Sequence, residues 1–448
     1  MNFNLTKELI TNISIKLKKN ELGVIKKMMA GYHPADIASI IHKLDSSNRN
    51  TLFQLFSSEK SAEILLELED EVQNYILKNL SSKEIAEKLI ENLESDDATN
   101  IISKLSLTKK KEVFSYIEDV DQAKNIKSLL TYDENSAGSL MAKELIKVNI
   151  NWTVLRCVRE MRKQTKNIDK VYSIYVVDDQ NKLLGTLSLK KLLMADENEI
   201  IKQIYNSKIF YVLENINKEK VSIMIEKYDL VVIPVVDNLG RLIGRITIDD
   251  VVDVIKEEAI EDYNMASGIS ETVKSNDNIA TITRARIPWL IIGLFGGIIG
   301  AEIIGFFDLK KNIELAFFTP LIAAMGGNVG VQSAAIIVQG LANNSIELES
   351  ITKKLFKELL VALVNSTICC LLVVMITYLL GYPSNIYLTV SLSLMVVIIF
   401  ASIFGTSIPL ILHKYNIDPA LATGPFITTV NDILGLYIYF LIGNYFLR

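Results

Sequence analysis

Cysteine and histidine are rare in this sequence, with three of each among 448 residues. Three cysteines cannot build a disulfide framework, and the histidines are too scattered to form a zinc-binding set. The chain also has no basic tract and no alternation of basic and aromatic residues, so nucleic acid is not an expected partner. The first residues lack the apolar core of a signal peptide, which predicts that the N-terminal part stays in the cytosol.

Charge is nearly absent from the C-terminal part. Residues 284–448 carry nine Lys and Arg and eight Asp and Glu, whereas the residues before them carry 38 and 44. Half of all residues are apolar, which excludes a disordered chain, and the uneven charge distribution excludes a wholly soluble protein. At about 150 residues per domain, the length predicts roughly three domains.

The uncharged stretches predict five membrane-spanning helices, and two of them come from residues 359–412. A single helix of that length would measure about 81 Å, far more than a hydrocarbon core of about 30 Å, so a turn at residues 381–385 must divide it. Residues 287–307 and 315–346 each supply one more span.

The fifth span ends the chain. Only fifteen residues lie between Asp432 and Arg448, too few to cross a membrane alone, so this helix must begin within residues 419–431. Five spans place the two termini on opposite sides. Positive residues are more frequent on the predicted cytosolic side, which agrees with the positive-inside rule. The six cytosolic ones are Arg284, Arg286, Lys353, Lys354, Lys357 and Lys414, and the three outside are Lys310, Lys311 and Arg448. We therefore expect a multi-pass protein of the cell membrane with a cytoplasmic N-terminal part and an outside C-terminus.

Asp432 lies near the middle of the last predicted span. A lone carboxylate at that depth costs on the order of several kcal/mol, which makes it a functional candidate by default. Pro425 removes a backbone donor and would free carbonyl groups near the hydroxyls of Thr428 and Thr429. Such oxygen ligands suit a hard cation such as Mg²⁺. The alternative is that Asp432 is protonated, or hydrogen-bonded to a neighbouring helix, and binds no ion.

The second predicted span also contains polar residues. Residues 325–333 (MGGNVGVQS) combine glycines with Asn328 and Gln332. This predicts either an irregular backbone that lines a watery path or close helix packing without an ion. Glu302, toward the outer end of the first span, is a weaker candidate for an intramembrane acid.

An internal repeat spans residues 136–262. The sequence YVVDDQNKLLG at 175–185 recurs as PVVDNLGRLIG at 234–244, at an offset of 59 residues. Each copy is patterned as helix, strand, polar turn, strand and helix, which indicates a pair of α/β modules. The pattern resembles tandem CBS domains, which commonly sense nucleotides or ions.

The helix at the end of the second copy is strongly acidic, because residues 249–262 hold seven acids and one Lys. Asp250, Asp253, Glu257 and Glu261 share one face of this helix. Like charges at this spacing repel, so the face is either solvated or neutralised by a divalent cation. A bridging cation would couple the cytosolic ion level to the membrane spans that follow.

Residues 20–130 show helical periodicity without a strand pattern. Short apolar segments recur at 35–44, 83–90 and 97–105, with Ser or Asp as candidate N-caps. This part is therefore predicted to be an all-α, superhelical stack of short helices.

Taken in order, these features resemble the MgtE family of magnesium channels and transporters. The matching segments are HPADIA at 33–38, YDENSAGSLM at 132–141, the two CBS-like copies, GGNVGVQS at 326–333, and DPA at 418–420 followed by GPFITTVND at 424–432. The resemblance implies an α-helical N domain over 1–131, tandem CBS domains over 132–262, a connecting plug helix over 263–284 and a transmembrane domain of five helices over 285–448.

The resemblance also implies a function without enzymatic activity. Family members are homodimers with a pore between the subunits, in which the acid matching Asp432 binds hydrated Mg²⁺. Cytosolic Mg²⁺ binds the N and CBS domains and closes the channel, and some CBS pairs of the family also bind ATP. The implied metal ligands are Asp96, Glu219, Asp229, Asp250, Asp253, Glu258, Glu261, Asp262, Asp418 and Asp432, and the implied pore-lining residues are Asn328, Gly424, Pro425, Thr428 and Thr429.

Two positions depart from the family pattern. Asn100 stands where a further acid of the N-domain motif is expected, and Asn217 stands where an acid often precedes the position of Glu219. We therefore expect a lower cytosolic Mg²⁺ affinity or other ligands. A proton- or Na⁺-coupled carrier of divalent cations is the alternative, since a carrier needs the same carboxylate. A softer metal is disfavoured as the preferred substrate because His, Cys and Met are absent around Asp432, and an intramembrane protease would need a second Asp or paired His residues.

Overall fold

The structure is a computed structural model that describes residues 4–165, 168, 170–273, 277–307, 313–342, 351–422 and 424–447. It forms two compact units, Met1–Ile255 and Lys256–Arg448. The first unit holds the short helices and both α/β modules, and the second holds the long apolar helices.

Ten short helices open the first unit, as the apolar periodicity predicts. Polar N-caps separate them: the Ser81 hydroxyl accepts a hydrogen bond from the Glu84 amide at 3.2 Å, and the Glu84 carboxylate accepts one from the Ser81 amide at 3.0 Å. A π-helical turn at Ile85–Leu89 and a 3₁₀ turn at Ile90–Asn92 precede the eighth of them. The helices are α1 (Lys7–Lys18), α2 (Leu22–Met29), α3 (Pro34–Lys43), α4 (Ser46–Phe53), α5 (Ser58–Leu66), α6 (Asp70–Asn79), α7 (Ser82–Glu84), α8 (Ser95–Ser103), α9 (Leu107–Tyr116) and α10 (Val120–Leu129).

The sequence repeat corresponds to two three-stranded sheets of identical topology. In each sheet the first strand pairs parallel with the second, and the second pairs antiparallel with the third. The register shifts at Val176/Val177 in one copy and at Val235/Val236 in the other, at the same offset of 59 residues as the sequence repeat. The elements are α11 (Ala137–Leu140), β1 (Ile146–Asn149), α12 (Val154–Gln164), β2 (Ile174–Val177), β3 (Leu183–Leu187), α13 (Leu189–Met194), α14 (Ile201–Ile204), β4 (Val212–Leu213), α15 (Lys218–Lys227), β5 (Val232–Val236) and β6 (Leu242–Thr247).

The acidic helix follows β6 directly. This helix, α16, runs over Ile248–Ala266, and its Val251 and Val254 are buried while most of its acids are exposed. The expected connecting helix over 263–284 is therefore not a separate helix. Its first residues continue α16, residues 279–284 open the next helix, and residues 274–276 lie outside the described part of the chain.

Among its described residues, the second unit contains five helices that are long and apolar enough to span a membrane, in agreement with the predicted number. The fourth of them contacts the second, third and fifth, and it carries the most buried residues. The first packs on the fifth. The spans are α17 (Ile279–Phe306), α19 (Thr319–Ala342), α20 (Ile351–Leu379), α21 (Ser384–Lys414) and α22 (Pro425–Phe446), with a short helix α18 (Glu314–Phe317) and a 3₁₀ turn (Pro419–Ala422) between them.

The two spans with polar residues, α19 and α22, are both continuous helices. The interpretation of residues 325–333 as irregular backbone is therefore wrong. Helix α19 is continuous through its glycines, and Pro425 occupies the first turn of α22, where its missing N–H is not needed. Gly424 precedes it with φ 57° and ψ −123°, a conformation that a side chain would strain. The glycines of α19 instead allow close approach: a Cβ atom on Gly405 of α21 would collide with the backbone of Gly330.

Gly405→Ala tests this contact. The added methyl group meets backbone atoms that cannot move aside, so we expect a loss of about 1–3 kcal/mol in the stability of the membrane unit. The measurement is thermal unfolding of the detergent-solubilised full chain. Gly297→Ala in α17 is the matched control, because nothing lies within 4 Å of the added atom. Equal stability of the two variants would contradict the close α19–α21 contact.

Candidate cation-binding sites

Two groups of acids face each other within the first unit. Glu94, Asp96 and Asp97 lie at the start of α8, and Asp249, Asp250 and Asp253 lie on the first turns of α16. Asp96 is 6% exposed, although its side chain is a carboxylate. The arrangement brings acids about 150 positions apart in the sequence together around the buried Asp96, and these six residues are here called the acidic interface.

Burial and mutual repulsion change the acidity of these groups. Burial, followed by the nearby Asp250, raises the pKa of Asp96 well above its usual range. The same two causes raise the pKa of Asp97 to about 7. Ionisation of Asp96, Asp97 and Asp250 together is therefore unfavourable unless a counter-ion is bound.

Asp250 is positioned by the last residue of β6. One of its oxygens accepts hydrogen bonds from the Thr247 amide at 3.1 Å and from the Thr247 hydroxyl at 2.6 Å. These bonds favour the charged form, but burial outweighs them and raises the pKa of Asp250. One oxygen of the carboxylate is thus fixed on Thr247, close enough to Asp96 and Asp97 for the charge of Asp250 to raise both of their pKa values.

The acidic interface suits a hydrated divalent cation better than a bare one. Among the residues that the structure describes, no group of three or more His, Cys, Asp or Glu side chains is arranged to hold a metal ion directly. Mg²⁺ keeps several of its waters and is commonly held by one or two carboxylates. A hydrated ion can therefore neutralise facing carboxylates without drawing all of them into its coordination sphere.

The other sequence-predicted acids of the cytosolic part lie at separate places. Glu219 and Asp229 flank the two ends of α15, about 15 Å apart along the helix axis, and both are exposed. Asn217, where an acid was expected, is the N-cap of α15 and accepts the Glu219 amide at 2.7 Å. The remaining three acids lie on α16 beyond Asp253, and they are Glu258, Glu261 and Asp262.

Asp432 is half-buried on α22 and faces α19. A Cβ atom on Gly327 would lie 3.4 Å from the Asp432 Oδ1 atom and 3.4 Å from the Thr428 methyl carbon. Glycine at this position therefore leaves the space that the carboxylate uses. Asp432 and Thr428, four residues apart, share the face that meets α19.

The other residues predicted to line the pore or bind metal lie in different environments. Thr428 and Thr429 both donate to the Pro425 carbonyl, at 3.0 and 2.7 Å. Because Pro425 lies in the first turn of α22, its missing N–H frees no carbonyl within the helix. Thr429 packs against Gly296 of α17. Asn328 is exposed on α19, whereas Asp418 caps the 3₁₀ turn by accepting the Ala420 amide at 2.8 Å.

Sequence reasoning missed one further carboxylate in the membrane unit, Glu358. One oxygen of Glu358 on α20 accepts hydrogen bonds from the hydroxyls of Ser333 on α19, at 2.7 Å, and of Ser402 on α21. Both serines are almost fully buried. The sequence feature that could have identified Glu358 is its position directly before the uncharged stretch that begins at residue 359.

An intramembrane carboxylate beside a glycine-lined helix, together with a buried acidic interface, is the site chemistry of a protein that handles divalent cations. Comparison with known families agrees. A model described as a divalent cation transporter, MgtE, matches residues 319–442, the MgtE intracellular N domain matches 32–135, and the CBS domain matches 137–198 and 201–257.

Relatives match over nearly the whole chain. The magnesium transporter MgtE of Thermus thermophilus is 30% identical over 98% of this chain and 99% of its own length, and that of Bacillus subtilis is 29% identical over 98% of each. The chain belongs to the MgtE family. This is a family of transporters rather than enzymes, which excludes an intramembrane protease.

Solved structures resemble the cytosolic part. The cytosolic domain of the Mg²⁺ channel MgtE in complex with ATP is 30% identical, with a TM-score of 0.51, over 55% of this chain and 99% of that chain. The soluble part of a magnesium transporter is 26% identical, with the same TM-score, over 56% of this chain and 99% of that chain.

The raised pKa values of the acidic interface predict proton release on cation binding. A divalent cation that binds the acidic interface must displace protons from carboxylates with raised pKa, so Mg²⁺ binding near pH 7 should release on the order of one proton per chain. The raised pKa of Asp97 also determines how the docking of α8 on α16 depends on pH. Without a cation, docking is least penalised below about pH 4, and the penalty grows until pH exceeds about 7.

The measurement is titration calorimetry of the full chain with Mg²⁺, in buffers of different ionisation enthalpy at about pH 6, 7 and 8. Asp97→Asn should reduce the proton release at about pH 7, whereas Glu63→Gln on the exposed face of α5 should not. Proton release that is unchanged in Asp97→Asn would contradict the assignment.

Proposed function

We propose that the chain is a Mg²⁺ channel of the cell membrane that closes when cytosolic Mg²⁺ neutralises its acidic interface. The observation that carries the proposal is the position of Asp432, a carboxylate within a membrane-spanning helix that faces Gly327 of α19. Thr428, which shares the face of Asp432, supplies a hydroxyl oxygen, and oxygen ligands suit Mg²⁺ rather than a softer metal. The names of the relatives support the same substrate.

The pore is proposed to form between two copies of the chain. Asn328 and Gln332 lie one helical turn apart on the exposed face of α19. Polar amides are costly against lipid, so this face is better covered by a second α19 and a water-filled path. Positive residues at the predicted cytosolic ends support an inward N-terminus with cytoplasmic CBS domains and an outside C-terminus.

A physical link between the acidic helix and Asp432 exists within the second unit. The end of α16 and the turn after it contact the start of α22, because a Cβ atom on Gly424 would meet Ala266 and one on Gly268 would meet Pro425. Pro425 lies two helical turns before Asp432. Movement of α16 would therefore be transmitted to the helix that carries the carboxylate.

Charge supplies the driving force for gating. Without Mg²⁺, the acids of α8 and α16 repel, and with Mg²⁺ their faces can approach. The cytosolic ligands in this proposal are Asp96, Asp250, Asp253, Glu258, Glu261 and Asp262, with Glu219 and Asp229 on α15 as further contributors. A change of the open fraction from 1% to 99% needs about 5.5 kcal/mol of differential binding, which several bridged ions could supply together. ATP binding by the CBS pair would add a second input, as the ATP complex of the related cytosolic domain suggests.

Asp432→Asn tests the ion site. Removing the charge removes the group that attracts a divalent cation into the membrane, so we expect at least a tenfold loss of Mg²⁺ flux into proteoliposomes. Glu302→Gln on α17 is the matched control and should retain the flux. Equal flux through Asp432→Asn and the native chain would place the pore elsewhere. Flux that requires a proton or Na⁺ gradient would instead identify a coupled carrier.

The triple variant Asp250→Asn, Asp253→Asn and Glu258→Gln tests gating. It removes ligands through which cytosolic Mg²⁺ is proposed to bridge the acidic faces and close the pore, so the channel should stay active at Mg²⁺ concentrations at least tenfold above the native inhibitory value. The measurement is flux against cytosolic-side Mg²⁺. Neutralising the exposed α5 acids Glu59, Glu63 and Glu67 is the matched control. Unchanged inhibition of the first variant would refute the gating mechanism.

A further inference from the structure

A single carboxylate joins three helices of the membrane unit. Glu358 lies about two turns into α20, which begins at Ile351. One of its oxygens accepts hydrogen bonds from the hydroxyls of Ser333 on α19, at 2.7 Å, and of Ser402 on α21. The two hydroxyl oxygens lie 3.2 Å apart, and the serines are 4% and 1% exposed. Helix α20 otherwise packs chiefly against α21, so Glu358 extends its contacts to α19.

The two serines differ from other serines of the membrane unit in where their hydroxyls point. A serine hydroxyl within a helix can bond to a carbonyl of its own helix, as those of Ser366 and Ser407 do here, at 3.1 and 2.7 Å. The hydroxyls of Ser333 and Ser402 instead donate to Glu358 on a third helix. Because lipid provides no hydrophobic drive for helix association, such bonds between helices help to fix their arrangement.

Ser333 belongs to a stripe of α19 that begins at the proposed ion site. A Cβ atom on Gly327 would lie 3.4 Å from the Asp432 Oδ1 atom, and one on Gly330 would collide with the side chain of Asn431. Two steps of three residues lead from Gly327 to Ser333, about 9 Å along the helix axis and about a third of a turn around it. The hydrogen bond of Ser333 therefore fixes both the rotation and the axial position at which α19 presents Gly327.

The partner serine on α21 supports the same arrangement. Ser402 lies three residues before Gly405, and a Cβ atom on Gly405 would collide with the backbone of Gly330. A hydrogen-bonded contact thus lies within one turn of a contact between backbones that leaves no room for a side chain. The backbone contact sets how closely α19 and α21 approach, and the hydrogen bonds oppose rotation and sliding.

We infer that Glu358 is a positioning residue, which holds α19 in the rotation and register that place Gly327 opposite Asp432. It acts through Ser333 rather than on the ion. Mg²⁺ demands near-ideal coordination geometry, whereas Ca²⁺ accepts a flexible one, so a displaced α19 should weaken Mg²⁺ binding and reduce the discrimination against Ca²⁺. This consequence for transport rests on the proposed function, but the positioning of α19 does not.

Glu358→Ala removes the acceptor that both serines share. Each hydrogen bond between membrane helices favours the assembled arrangement by about threefold, so two lost bonds correspond to about tenfold. We expect the half-saturating Mg²⁺ concentration for flux into proteoliposomes to rise about tenfold, and the preference for Mg²⁺ over Ca²⁺ to fall. Glu358→Gln keeps an oxygen that can accept both hydroxyls, and it should stay within about threefold of the native chain.

The half-saturating concentration separates positioning from general damage. A variant that only folds less well leaves fewer active molecules, which lowers the maximal flux and leaves the half-saturating concentration and the ion preference unchanged. That result for Glu358→Ala would overturn the inference. So would a Glu358→Gln variant that behaves like Glu358→Ala, because the charge itself would then be required.

Serine variants locate the effect in the hydrogen bonds. Ser333→Ala should raise the half-saturating Mg²⁺ concentration by itself and have no further effect when it is added to Glu358→Ala. Ser366→Ala on α20 is the matched control, because this buried hydroxyl bonds only within its own helix, and it should match the native chain. Additive effects of Ser333→Ala and Glu358→Ala would contradict a shared contact.

Spin labels test the position of α19 without transport. Labels at Ile336→Cys on α19 and Leu441→Cys on α22 occupy exposed positions of the full chain in nanodiscs, diluted with unlabelled chain so that distances within one copy are measured. The native cysteines Cys157, Cys369 and Cys370 are first replaced by Ala. We expect one narrow distance in this background and in Glu358→Gln, and a broadened or displaced one in Glu358→Ala.

The two measurements fail in different ways. A label distance that is unchanged in Glu358→Ala would overturn the inference whatever the chain transports. Absence of Mg²⁺ flux through the native chain would contradict the proposed function instead, and the label distances would still decide whether Glu358 positions α19.

Discussion

Burial of like charges against one another is the constraint that organises the cytosolic unit. Asp96, Asp97 and Asp250 lose hydration at the acidic interface, and their repulsion grows as water is excluded. A hydrophobic core is stable under all ionic conditions, whereas this interface is stable only when positive charge is supplied. Protons and hydrated divalent cations are two sources of that charge, and only the cations report the cytosolic ion level.

The two modules of the sequence repeat have diverged in the residues that take part in this interface. At the offset of 59 residues, Asp249 and Asp250 of the second copy correspond to Lys190 and Lys191 of the first. The shared topology and the shared register shift preserve the fold of both copies. Charge differs because it lies on the helix that follows the sheet, where it does not affect strand pairing, so one copy could acquire an acidic face without loss of its core.

In the membrane unit, close packing of helices at glycines is the interaction that organises the structure. Gly327 leaves room for Asp432, Gly330 accommodates the buried Asn431, and Gly405 meets the backbone of Gly330. These contacts fix α19, α21 and α22 against one another, since lipid provides no hydrophobic drive for their association. The carboxylate is thereby held on a rigid element, while the start of the same helix contacts the end of α16 and can receive its movement.

The sequence alone determined the elements and the class of the protein. Hydrophobic runs, the repeat and polar caps are local properties, and desolvation of the backbone in lipid makes helices the available solution for an apolar stretch of about 20 residues. It also identified Asp432, because an acid within such a stretch is conspicuous. Only the tertiary structure decided how Met325–Ser333 is built, and only it paired Glu94 with Arg245 and Glu358 with Ser333 and Ser402. These contacts join residues far apart in the chain, and their energies depend on burial, which no local pattern of residues specifies.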